Sequence, residues 1–338
     1  MKLKLPLLVG LASLASLVGV QAQSAVTDPV GYITIKVDAK PTGSTLTPIS
    51  PSLVNKTEYA GVAATATATT ITVTGTPFVA SAYAGGNFYV EVTSGAGEGA
   101  WTNITANTTS ALTIESNLTT FITAGTSTIK IRKHVTVADF FGATNTAGLK
   151  PGDDAGLADE VFFVNARTGK TTSVFYTGTG WSDADFADAG NFRIEPQQGL
   201  LVKRKLATPV SFIRTGYVKT GKTMLLVSKG TNVVGNPRAV GQTGVPASSF
   251  TLGTSGLKTA SNTTGLNPGA DAGVADEVFF YTNGAATSFF NDGTDWVDAD
   301  FNNGNGKVIV EGTALLIKRK GATATAFNWV VPAVTIAP

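Results

Sequence analysis

Short apolar runs of β-forming residues follow one another along this chain, several alternating with polar positions, and Gly, Asn and Ser separate them. EVFFV (160–164) and EVFFY (277–281) are compact apolar runs. TTSVFYTG (171–178) and ATSFFNDG (286–293) follow turns at Thr168-Gly169 and Asn283-Gly284, a hairpin signal. FRIEP (192–196) and KVIVEG (307–312) come next, then GLLVKRK (199–205) and ALLIKRK (314–320). No amphipathic helical pattern exceeds a turn or two. The pattern predicts an all-β chain.

The runs occur twice in one order. GLKPGDDAGLADEVFF (148–163) returns as GLNPGADAGVADEVFF (265–280), WSDADF (181–186) as WVDADF (296–301), and LLVKRK (200–205) as LLIKRK (315–320). Offsets of 117, 115 and 115 residues indicate internal duplication. Gly31-Tyr32 and Gly216-Tyr217 are read as equivalent starts of the two copies. Residues 59–134 have no counterpart in the second copy. Their β-branched runs, at roughly ten-residue spacing, read as a small barrel inserted into a host loop. The expectation is two tandem homologous β-sandwich or barrel-like domains, 23–58 with 135–213 and 214–338, with a small barrel-like module at 59–134.

Composition places this architecture outside the cytoplasm. Lys2 and Lys4 precede an apolar run, Leu5–Val20, and Val20-Gln21-Ala22 is a small-residue cleavage pattern. Residues 1–22 therefore read as a secretory signal peptide, and no later segment reaches membrane-spanning length without polar residues. Removing the signal takes two of the 25 Lys+Arg and none of the 23 Asp+Glu, leaving no net charge. Nothing in that balance draws in nucleic acid. With no cysteine, core packing alone must hold the domains, and thiol catalysis and thiolate metal sites are excluded.

Candidate chemistry is sparse. The single histidine, His134, sits where the insert rejoins its host, and no Ser-His-Asp arrangement is present. Trp181 and Trp296 either fill the cores or, if exposed, form a sugar-stacking face. Asp298, Asp300 and Asn302 resemble the start of a Ca²⁺ loop, although the Gly falls one place late and position twelve is Ile309 rather than Glu. The acidic loops Asp153–Asp154–Asp159–Glu160 and Asp271–Asp276–Glu277 cap turns, pair with the KRK strand ends, or serve a carboxylate hydrolase. No cofactor is implied beyond that Ca²⁺ candidate. The terminal run AFNWVV (326–331) is a candidate donor strand for a neighbouring copy.

TDPVGYIT (27–34), TTITVTGTP (69–77), YVEVTSGAGEGAWTNITANTTSALTI (89–114) and the two basic strand ends give the chain a resemblance to an uncharacterised family of exported bacterial proteins. That resemblance implies secretion from a Gram-negative bacterium and a tandem β-architecture, and supplies no activity or site residues. The expected function is a non-enzymatic structural or interaction role at the cell surface or in the extracellular matrix. Its expected partner is a second copy, through edge strands, or a surface polysaccharide. The alternatives are carbohydrate binding on the Trp181 and Trp296 faces, and a carboxylate-based glycoside hydrolase.

Overall fold

The structure, a computed structural model, describes residues 28–238, 250–261, 263–321 and 324–333; the expected signal peptide lies outside them. The described chain is nearly all β. It opens with β1 (Val30–Val37), β2 (Thr45–Ile49) and β3 (Leu53–Val54). Next come β4 (Thr57–Ala66), β5 (Thr70–Val73), β6 (Phe88–Val92), β7 (Trp101–Asn107), β8 (Ala111–Ile114) and β9 (Thr128–Lys133). Strand β10 (Val135–Thr136) leads into α1 (Val137–Phe141), a five-residue helix that a reciprocal Thr136–Asp139 capping box starts. The first unit ends with β11 (Glu160–Val164), β12 (Thr171–Tyr176), β13 (Trp181–Asp183), β14 (Arg193–Ile194), β15 (Leu200–Arg204) and β16 (Val210–Val218). The second holds β17 (Thr223–Val227), β18 (Gly230–Gly235), β19 (Glu277–Thr282), β20 (Ala285–Asn291), β21 (Trp296–Val297), β22 (Ala314–Arg319) and β23 (Phe327–Val331).

Each unit is a two-layer packing driven by alternation along its strands. On β1, Ile33, Ile35 and Val37 turn inward. With Phe212 and Val218 of β16 they pack against Val161, Phe163, Val174, Leu200 and Val202 of the facing sheet. The second core repeats the plan, setting Leu225, Val227, Trp329 and Val331 against Val278, Leu315 and Ile317. Strand order matches one for one. The large sheets run β13-β12-β11-β15-β2 and β21-β20-β19-β22-β18, and the covering layers pair β1 with β16 and β17 with β23. Between the hosts' elements, β4-β5-β8-β7-β6-β9 close into a barrel around Ile71, Val90, Ile104, Leu112, Ile129 and Ile131.

Two expectations need correction. Gly216-Tyr217 does not begin the second copy. It lies in β16, where Gly216 pairs with Gly31 and Tyr217 with Val30. The first sandwich needs β16 to cover its core, so that strand crosses the expected 213/214 boundary and the change of unit follows Val218. Nor is the terminal strand free to be donated. β23 pairs with β17 from Thr223↔Val331 to Val227↔Phe327, and the fully buried Trp329 donates Nε1–H to the Ser255 carbonyl at 2.7 Å.

The two large sheets meet edge to edge by a two-fold-like exchange. Ser50 N donates to the Gly312 carbonyl at 2.9 Å, and Gly235 N to the Gln197 carbonyl at 2.8 Å. Bridges Ile49↔Thr313 and Gln198↔Val234 flank them. Ile49 opposes Leu200 just as Val234 opposes Leu315, so each contact is the other with the copies interchanged. Approach is close: a β-carbon on Gly199 would lie 2.8 Å from the Ala314 β-carbon and from the Val233 backbone.

The barrel is clamped to both units. Asp28, just before β1, takes Lys130 Nζ at 2.7 Å and Arg132 Nη2 at 2.6 Å. Burial alone would raise the Asp28 pKa; hydrogen bonds from Lys130 and Arg132 outweigh it and hold the carboxyl below its ordinary value. On the segment joining the units, Lys219 pairs with Glu91 and Lys222 N donates to Glu98 at 3.0 Å.

Candidate functional site

A cleft of about 270 Å³ opens where the barrel meets both units. The barrel supplies Trp101 on β7 and the loop residues Ser116, Asn117, Leu118 and Phe121. The first unit supplies Val164, Arg167 and the turn Glu195–Gln198. The second supplies Met224–Leu226, Val233, Val234 and Asn328. Leu118, Phe121, Met224 and Leu226 make an apolar wall, while Arg167, Glu195, Gln197 and Asn117 supply the polar groups. Such clefts at junctions between units, apolar with a few placed polar groups, are where small ligands bind.

Gln197 is the most informative residue. It is only 3% exposed, and its side-chain amide hydrogen-bonds to no other described residue. Its backbone is left-handed, with φ 55°, a region that favours glycine. Holding a residue with a side chain in that region costs on the order of 1 kcal/mol. The matching position in the second copy is Gly312, φ 71°, which does not carry that cost. Neighbouring residues depart in the same way. Glu195 stands where the second copy has Val310, and Arg167 lies in a hairpin loop two residues longer than its counterpart. The copies therefore diverge on the wall that only the first one, carrying the barrel, turns into a cleft.

A polar chain supports this wall. Asn103 and Trp101 lie two apart on β7 and share a face. Asn103 Nδ2 donates to Glu115 at 2.5 Å and also reaches Glu195, while its Oδ1 lies 2.8 Å from His134 Nε2. An amide oxygen only accepts, so His134 donates there. The Tyr89 ring lies tilted against the imidazole with centroids 5.0 Å apart, and burial, with Arg193 adding, pushes the His134 pKa down to about 3. The imidazole is thus a neutral donor that orients Asn103, not an acid–base group. Burial raises the Glu195 pKa, Arg193 and Arg167 oppose the rise, and Glu115 adds to it.

No family model, curated protein or solved structure matches the chain. The site's own chemistry therefore carries the functional conclusion.

The residues singled out from sequence lie elsewhere. Trp181 and Trp296 are each 3% exposed. Trp181 donates Nε1–H to the Gly142 carbonyl at 2.8 Å and packs on Phe141 and Tyr176; Trp296 belongs to the second core. Neither presents a face to a sugar, because each small disulfide-free core needs its largest side chain inside. Asp298 is equally committed: its Oδ1 accepts the N–H of Asp300 and of Asn302, and both its oxygens take Asn302 Nδ2. The loop is an Asx turn that sets Phe301 at φ 61°. Among the described residues no three His, Cys, Asp or Glu side chains converge on one point. Each acidic loop instead meets the basic strand end of its own copy. The fully buried Asp159 takes Arg204 Nη1 at 2.6 Å and the backbone N–H groups of Lys150 and Lys205; Asp276 likewise takes those of Asn267 and Lys320.

Proposed function

We propose that this is an exported, non-enzymatic interaction protein that holds an extracellular ligand in the cleft between its barrel and its two sandwiches. The supporting observation is the cleft itself, where Gln197, held in a left-handed backbone, lines the wall at a position that is glycine in the duplicate. Backbone strain of this kind persists where function requires it. Trp101 is a built-in reporter, being the one described tryptophan that is not buried. The test titrates the mature chain with envelope polysaccharide, a peptidoglycan digest and a mixed tripeptide library. One of these should shift Trp101 emission saturably in the wild type and not in Gln197→Gly; three flat titrations would sink the reading.

One observation favours a second reading, a carboxylate-based glycoside hydrolase. Asn103 links Glu115 to Glu195, whose pKa burial raises, and unequal carboxylates are the raw material of acid–base chemistry on glycosides. Release of an aryl leaving group from aryl glycosides, abolished in Glu195→Gln, would establish it; no release would dismiss it.

A further inference from the structure

The free groups around the cleft define a ligand chemistry, and this inference rests on the binding reading above. Arg167 only donates, and its guanidinium hydrogen-bonds to no other described residue. The Glu195 carboxylate only accepts, and its described partner is Asn103. The Gln197 amide both donates and accepts. A hydroxyl group satisfies all three kinds of partner, since it can give one hydrogen bond and receive others. Arg167 and Glu195 carry opposite charges, as do Arg193 and Glu115 beside them, so a neutral ligand leaves the local charges balanced. Trp101 and Met224 line the same cleft and offer a surface suited to C–H groups. These groups suit a ligand that is small, neutral, dense in hydroxyls along one edge and apolar on one face. A pyranose ring has that construction. A peptide fits less well, because the cleft offers side chains of three unrelated segments rather than the regular N–H and C=O row of an open strand edge.

We propose that the cleft binds one neutral saccharide unit, with its hydroxyl edge on Arg167, Glu195 and Gln197 and its C–H face toward Trp101 and Met224. The unit can be a free sugar or the end of a surface polysaccharide, and the experiment separates the two.

The mature chain, residues 23–338, is titrated calorimetrically with neutral hexoses, N-acetylhexosamines and their disaccharides, with a dextran, with glucuronic acid, and with a tripeptide library. At least one neutral sugar should bind saturably at one site, and glucuronic acid should bind more weakly than the parent hexose. Gln197→Gly and Arg167→Ala, the latter an exposed residue whose loss leaves the cores intact, should each weaken that binding tenfold or more, about 1.4 kcal/mol. Binding by the free sugars identifies a soluble ligand; binding by the dextran with weak or absent binding of its monomer identifies a polymer end. Saccharide binding that ignores both substitutions overturns the proposal. If only tripeptides bind and Gln197→Gly removes them, the cleft stands as a site but the saccharide class falls. If nothing binds, both fall.

Discussion

Lowering the pH from about 7 to about 4.5 should weaken the fold measurably through one side chain. His134 is 1% exposed, its imidazole is bonded to Asn103, and its pKa stands near 3 against an ordinary 6.5. Below 6.5 the unfolded chain takes up a proton that the folded chain refuses, so stability falls as pH falls through the window from 6.5 to about 3. At about 1.4 kcal/mol per unit, roughly 3 kcal/mol is lost by about pH 4.5. Other groups titrate in that range, so the comparison is with His134→Asn under urea denaturation. The variant should be the less stable protein near neutrality through lost ring contacts, and the gap should close by about 3 kcal/mol at about pH 4.5. There is one histidine in the chain, so its imidazole resonances give a direct second readout, which should stay in the neutral position over the whole range. Parallel stability curves, or a titration midpoint near 6.5, would refute the claim that His134 serves as a fixed neutral donor.

Four further outcomes are expected. Asp159→Ala leaves Arg204 buried without its partner and should cost about 3–5 kcal/mol in urea denaturation; a loss below about 1 kcal/mol would contradict the assigned pairing. Gly199→Ala forces a β-carbon against Ala314 and Val233 and should cost about 1–3 kcal/mol, whereas Gly180→Ala, with nothing within 4 Å, should stay near neutral. Acrylamide should quench mainly Trp101, so Trp101→Phe removes most of the quenchable emission; strong quenching left in that variant would mean an indole of the two cores is open. Asp298→Ala should cost about 1 kcal/mol by loosening the turn under Phe301, and Ca²⁺ should leave the melting temperature of the wild type unchanged; a calcium-dependent rise would assign the loop to a cation instead.

Much of the fold is legible in the chain because burial leaves a periodic record. EVFFV and LLVKR read as strands and become β11 and β15, with Val161, Phe163, Leu200 and Val202 packed inside. The same record misleads at Gly216-Tyr217. Gly31 and Gly216 are partners across β1 and β16 of one sheet, so the shared Gly-Tyr marks two strands of one sandwich rather than the starts of two copies. Trp181 and Trp296 show a related ambiguity, since an aromatic kept in both copies serves a core as readily as a surface. The cleft is hard to see for a different reason. Trp101, Gln197, Met224 and Asn328 share no motif, and only the docking of barrel and sandwiches brings them together. One trace of it does exist in the sequence: residues 192–199 and 307–314 agree only at Ile194 and Ile309, between blocks that match closely on either side.

The exchange of contacts between Ser50–Gly312 and Gly235–Gln197 makes the pair of sandwiches behave like a homodimer whose subunits share one chain. Each half uses the same edge to bind the other, so the assembly is complete at two, and a third unit spliced in tandem would find that edge already taken. Covalent linkage also frees the halves from identity. A true homodimer must write every change into both subunits, whereas here the second half keeps the plain form of the shared edge, with Gly312 and Val310. The first half, relieved of being its partner's mirror, carries the barrel and the altered turn that together make an asymmetric pocket.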